Sequence, residues 1–136
     1  MELDVSGLQK AIFSLQKALN EYKINPTEFV RDSCIQRFEY TYEIAWKTIK
    51  RFLENTNPNP TDIDLMTFQE LIREASEKGL LLNGWDSWKL YRIYRGTTSH
   101  AYDEDKANEI YNEIPEFLEE VLYLSKQLEK HLGHDL

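Results

Sequence analysis

Apolar residues recur along the chain at steps of three and four, the spacing of a single stripe on a helix. Val5, Leu8, Ile12, Leu15, Leu19 and Tyr22 predict a first helix. Asn25, Pro26 and Glu28 follow in the order of an N-cap, a first-turn proline and an acid at the third position, so a second helix is expected after a short turn. Its stripe runs Val30, Cys34, Phe38, Ala45, Ile49 and Phe52, with Thr41 or Tyr42 filling the gap, and carries the helix to about Glu54. TNPNPTD, from Thr56 to Asp62, holds two prolines that bar a continuous helix and reads as a connector.

Thr67 and Glu70 match a capping box, with Leu71, Ile72 and Ala75 on one face and Gly79 as a stop, which predicts a short helix. Asn83 and Gly84 mark a turn. Trp85, Trp88, Tyr91 and Tyr94 then keep helical spacing until Gly96, Thr97 and Thr98 lower the propensity, where the helix should weaken or bend. Asp103, Glu104 and Asp105 suit a helix N-terminus ahead of a seam of Ala107, Ile110, Ile114, Phe117, Val121, Leu124 and Leu128, with a kink expected at Pro115. These elements predict an all-α fold: an antiparallel four-helix bundle with one additional short helix, in a single domain over residues 1–136. No repeat and no strand alternation competes with it. The heptad regularity of the first and last helices suits pairing between subunits as well as packing within one chain.

A chain of 136 residues, 41% hydrophobic and 29% charged, is large enough for one core and too small for two. Its net charge of −8 repels nucleic acid and anionic membrane on average, so any contact with phosphate must use a local patch. Cys34 is the one cysteine, which excludes an intrachain disulfide, and its apolar helical position marks a buried, inert thiol. MELDVSGLQKAIF has neither a basic segment nor a continuous apolar one, and no run approaches the ~18 apolar residues of a membrane span. A soluble cytoplasmic protein without a membrane role is expected.

One window departs from this acidic background. From Ser87 to Tyr102, sixteen residues include Lys89, Arg92 and Arg95 and no acid, a charge of +3 against −11 on the other 120 residues. Trp88, Tyr91, Tyr94 and Tyr102 interleave with the cations, which makes Lys89, Arg92, Trp88 and Tyr91 candidates for stacking on and neutralising RNA. The alternative is a helix with aromatics inward and cations solvated. Arg95 and His100 are five residues apart and on an ideal helix point about 140° from each other. Either the backbone leaves the helix near Gly96 or a site is assembled across two subunits.

Arg95, four residues, His100, one residue and Tyr102 form R-x4-H-x-Y, which resembles the signature of HepT-like proteins of the HEPN superfamily, partners of minimal nucleotidyltransferases. QRFEYTYEIAWKTIKRFLE, FQELIREASEKGLL and SHAYDEDKANEIYNEIP are similar to the family known as nucleotidyltransferase substrate-binding proteins. The resemblance runs from about Leu8 to Leu128. It implies a metal-independent endoribonuclease without a cofactor, the toxin of a two-gene toxin and antitoxin pair. It also implies a homodimer within a hetero-oligomer, neutralised by a nucleotidyltransferase encoded by a neighbouring gene. By position Arg95 and His100 would be catalytic, the histidine exchanging a proton and the arginine holding phosphorane charge. Tyr102 resembles the tyrosine that receives AMP from the partner in some members, where added negative charge would block the RNA path.

HEPN nucleases commonly carry a polar residue, often Asn, after the motif arginine; here it is Gly96, one hydrogen-bond donor fewer. That departure supports an alternative, a non-catalytic substrate-binding subunit of a two-component nucleotidyltransferase. Glu39 and Glu43, one turn apart with Arg37 near them, read either as a polar wall to the site or as surface helix pairs. His131 and His134 lack a third ligand in sequence and carry no metal role.

Overall fold

A computed structural model of the chain describes residues 3–133. Six α-helices and one 3-10 turn follow in order: α1 (Ser6–Ile24), α2 (Glu28–Thr56), α3 (Pro60–Asp64), α4 (Phe68–Glu77), α5 (Trp85–Gly96), the 3-10 turn (Thr98–His100) and α6 (Glu104–His131). The all-α bundle expected from the apolar stripes is what forms. α1 and α2 make a helical hairpin, α6 packs against both, and α4 and α5 lean on α2.

The stripes become the core. Leu8, Ile12, Leu15 and Leu19 of α1 are buried against Cys34, Phe38, Ala45, Ile49 and Phe52 of α2. All seven residues of the α6 seam are fully buried. Both Thr41 and Tyr42 fill the gap in the α2 stripe. At about 1.5–3 kcal/mol for each large apolar side chain taken out of water, this packing outweighs any single helix cap, worth about 1 kcal/mol. Around Phe117 the core is aromatic: its ring meets Phe38 at 4.9 Å and Tyr91 at 5.2 Å, both nearly edge to face.

Helix ends differ from the sequence reading in two places. The N-cap of α2 is Thr27, whose hydroxyl accepts from the Val30 amide, while Asn25 closes α1. Asn and Thr are both good caps, and the extended backbone at Thr27 decides between them. The connector also contains α3, because Pro60 occupies its first turn, where the missing N–H costs nothing, and Asp62 adds an acid there. The Thr67 and Glu70 capping box is complete, and Gly79 takes φ of 77°, the left-handed backbone that ends α4. α6 continues through Pro115 as one helix, and the proline ring is exposed.

Two buried polar residues tie elements together. Arg31 on α2 donates to Glu104 at 2.6 Å and to Asp32 at 3.2 Å, fastening α2 to the start of α6. Glu120, fully buried on α6, accepts from the Leu82 amide at 2.7 Å, the Asn83 amide at 3.1 Å, Asn83 Nδ2 at 3.0 Å and the Tyr91 hydroxyl at 3.3 Å. It thereby fixes the loop that launches α5. No helix among the described residues is long and apolar enough to cross a membrane.

Candidate functional site

α5 stops where its sequence loses helix propensity. The Thr97 amide turns back to the Tyr94 carbonyl, the Thr97 hydroxyl caps the same oxygen at 2.9 Å, and the Thr98 hydroxyl donates to the Arg95 carbonyl at 2.9 Å. A 3-10 turn then carries Ser99 and His100, and Asp103 caps α6 by accepting from the Lys106 amide at 3.0 Å. The backbone therefore leaves the α-helix within one chain between Arg95 and His100.

Arg95 reaches across to α2. Its Nε lies 2.8 Å from Glu43 Oε1 and its Nη1 3.8 Å from Glu39 Oε2. The Nε contact lies off the N–H direction, so it is a charge contact rather than an aligned hydrogen bond. The one proton of the Thr98 hydroxyl is shared between the Arg95 carbonyl and Glu39, which joins the motif turn to the same carboxylate pair. Glu43 in turn accepts from Trp46 Nε1 at 3.1 Å. Arg95 is held, yet at 37% side-chain exposure it can still be approached.

His100 and Tyr102 lie on the solvent side of the turn, their rings 6.2 Å apart. Tyr102 is 86% exposed. Two depressions flank the Arg95 contact. A groove of about 500 Å³ is lined by Glu43, Trp46, Phe68, Arg92, Arg95 and Gly96 among others, and a shallower one by Gln36, Glu39, Thr98, Ser99 and Tyr102. Glu39 and Glu43 form the wall between them, and His100 lines neither.

Over residues 3–130 the chain matches the family described as nucleotidyltransferase substrate binding protein like. A Haemophilus influenzae protein named "Probable ribonuclease HepT" is 33% identical over 144 residues, spanning 98% of this chain and 97% of that relative. This chain belongs to the nucleotidyltransferase substrate-binding protein family. A solved Haemophilus influenzae structure, described as the fold of a substrate-binding domain of a nucleotidyltransferase, matches with a TM-score of 0.86. It is 31% identical and covers 93% of this chain and 99% of that one. The HepT-like resemblance drawn from R-x4-H-x-Y thus extends through the whole fold.

Within this family member, two of the proposed RNA contacts need correction. Trp88 and Tyr91 are fully buried and meet edge to face at 5.3 Å, so neither offers a face to a base. Their three-residue spacing beside the apolar stripe is a core pattern, and burial raises the Tyr91 phenol far above its ordinary range, with the Glu120 charge adding to it. Lys89 and Arg92 are exposed as expected, and Arg92 lies over the Phe68 ring at 4.9 Å. Arg37 does not join Glu39 and Glu43. It donates to the Ser14 carbonyl at 2.9 Å and holds α1 instead.

The α2 carboxylates belong to the site more fully than sequence suggested, since both engage Arg95. Trp46 and Phe68, which sequence reasoning did not select, supply the accessible aromatic surface beside Arg95. A signal existed for Trp46: it sits three residues after Glu43, on the same helix face. His131 packs its ring on Phe52 at 5.3 Å, and His134 lies outside the described residues.

Proposed function

We propose that this chain is a metal-independent endoribonuclease that uses Arg95 and His100 and works as the toxin partner of a small nucleotidyltransferase. The observation that carries the reading is the motif turn itself. It combines a half-exposed arginine fixed by Glu39 and Glu43, an exposed histidine and an exposed tyrosine on one short stretch of backbone. In such a site the 2′-hydroxyl of RNA attacks the adjacent phosphorus and the bond to the 5′-oxygen breaks. His100 takes the hydroxyl proton or supplies one to the leaving oxygen, and the Arg95 guanidinium stabilises the phosphorane oxygens. A homodimer would supply two such histidines, so that one acts as base and the other as acid.

Tyr102 is the control point of this reading. Transfer of AMP from ATP forms a bond between the phenolic oxygen and the α-phosphorus and releases pyrophosphate, the phenolic proton going to solvent. The added phosphodiester places a negative charge beside the turn and repels the RNA backbone. Incubation with single-stranded RNA and EDTA should give cleavage that His100→Ala abolishes. Unchanged cleavage by that variant removes His100 from the mechanism.

A second reading, a non-catalytic substrate-binding subunit, is favoured by Gly96 and by the two carboxylates that already neutralise Arg95. It predicts a stable complex with the nucleotidyltransferase and no RNA cleavage.

A further inference from the structure

We propose that the groove between α2, α4 and the end of α5 is a nucleotide subsite that seats one base of single-stranded RNA beside the phosphate held by Arg95. This rests on the ribonuclease reading for its substrate and assigns that substrate a contact outside the R-x4-H-x-Y motif.

Three observations converge on a base with its phosphate. The groove measures about 500 Å³, inside the range of roughly 300–1,000 Å³ typical of small-molecule sites. Its apolar corner is made by Trp46 and Phe68, both partly exposed, whose rings stand at 89° with centroids 6.4 Å apart. A planar base can stack on one ring and meet the other by its edge. The rim carries three cations: Arg92 over Phe68, in no ion pair among the described residues, Arg95 at the inner end, paired with Glu39 and Glu43, and Lys50 at the far edge, 3.4 Å from Asp64. The groove's acid, Glu43, is already engaged by Arg95 and by the Trp46 indole N–H.

Such a cationic aromatic pocket in a chain of net charge −8 is where a nucleotide is favoured over an apolar or basic ligand. Because the groove shares Arg95 with the motif turn, a base seated there places its neighbouring phosphate at the guanidinium.

The test measures binding of a fluorescein-labelled 2′-O-methyl oligoribonucleotide, which lacks the attacking hydroxyl and cannot be cut, by anisotropy with the full chain. Trp46→Leu and Arg92→Gln should each weaken binding by roughly 10-fold. Lys17→Gln on α1 should leave it unchanged, and AMP should compete at millimolar concentration. Thermal melts of each variant verify folding; Arg92 is exposed, so its variant keeps the test decisive if Trp46→Leu destabilises the chain.

Unchanged affinity in folded Arg92→Gln and Trp46→Leu, with unmodified RNA still cleaved, overturns the subsite and leaves the ribonuclease reading standing. Weakened binding by both variants, with no cleavage of unmodified RNA, keeps the subsite and removes the ribonuclease reading. AMP binding without oligonucleotide binding overturns the RNA assignment. Loss of the nucleotidyltransferase complex with RNA binding intact gives the groove to the partner protein and overturns the proposal.

Discussion

Nε of Arg95 stands 2.8 Å from Oε1 of Glu43, which fastens the last turn of α5 to the middle of α2. Both side chains are about one-third exposed, so the pair contributes at most about 1 kcal/mol to stability. Its consequence is positional: it keeps a flexible side chain with many rotamers aimed at one place. Glu43→Ala is expected to leave the melting temperature nearly unchanged and to lower RNA cleavage about 10-fold, or ~1.4 kcal/mol in the barrier. Glu43→Gln, which retains an oxygen acceptor, should lose less. Initial rates and thermal melts on the three proteins check this.

Gly96 has room for a side chain. A Cβ built there meets nothing within 4 Å, and its φ is not positive. Gly96→Asn should therefore fold normally, gain a few tenths of a kcal/mol from reduced backbone entropy, and raise cleavage by restoring a donor beside Arg95. A variant that melts lower than the wild type would show that the glycine is structurally required.

The fold was largely legible because its helices are long and regularly striped: every residue of the α6 seam from Ala107 to Leu128 is buried. What periodicity missed was local. α3 hid behind two prolines because Pro60 starts a helix as readily as Pro58 interrupts one. Composition alone presents Trp88 and Tyr91 as a stacking surface, whereas their spacing places them with the core, where both are buried. Arg95, His100 and Tyr102 were legible as a motif, while the pairing of Arg95 with Glu39 and Glu43 depends on how α2 and α5 pack. One-dimensional spacing does not encode that contact.

Glu120 illustrates a further miss, a charge on the inward face of α6 between Phe117 and Leu124. Four donors compensate its burial, and removing the carboxylate leaves the Leu82 and Asn83 amides unpaired. Glu120→Ala should destabilise the chain by roughly 3 kcal/mol, read as a shift of the urea midpoint, with increased amide exchange at Leu82 and Asn83.

Burial pushes the Cys34 thiol from its ordinary 9.0 up to about 11. Because the folded value is the higher one, the neutral thiol's contribution is fully present below about pH 9 and is lost as pH rises towards 11. Tyr42 and Tyr91, also raised by burial, add to alkaline loss in the same direction. Native protein should resist thiol reagents at neutral pH. Cys34→Ala should reduce the fall in stability between pH 9 and 11 measured by denaturant titration.

In the proposed mechanism Arg95 and His100 cut RNA through its own 2′-hydroxyl, which leaves ends of defined chemistry. The most direct measurement is the chemistry of the ends produced from single-stranded RNA in EDTA, read by mass spectrometry for the wild type, Arg95→Ala and His100→Ala. A 2′,3′-cyclic phosphate paired with a 5′-hydroxyl, formed by the wild type and lost in both variants, is the predicted result. Ends bearing 3′-hydroxyl and 5′-phosphate, or the same products from either variant at the wild-type rate, would contradict it.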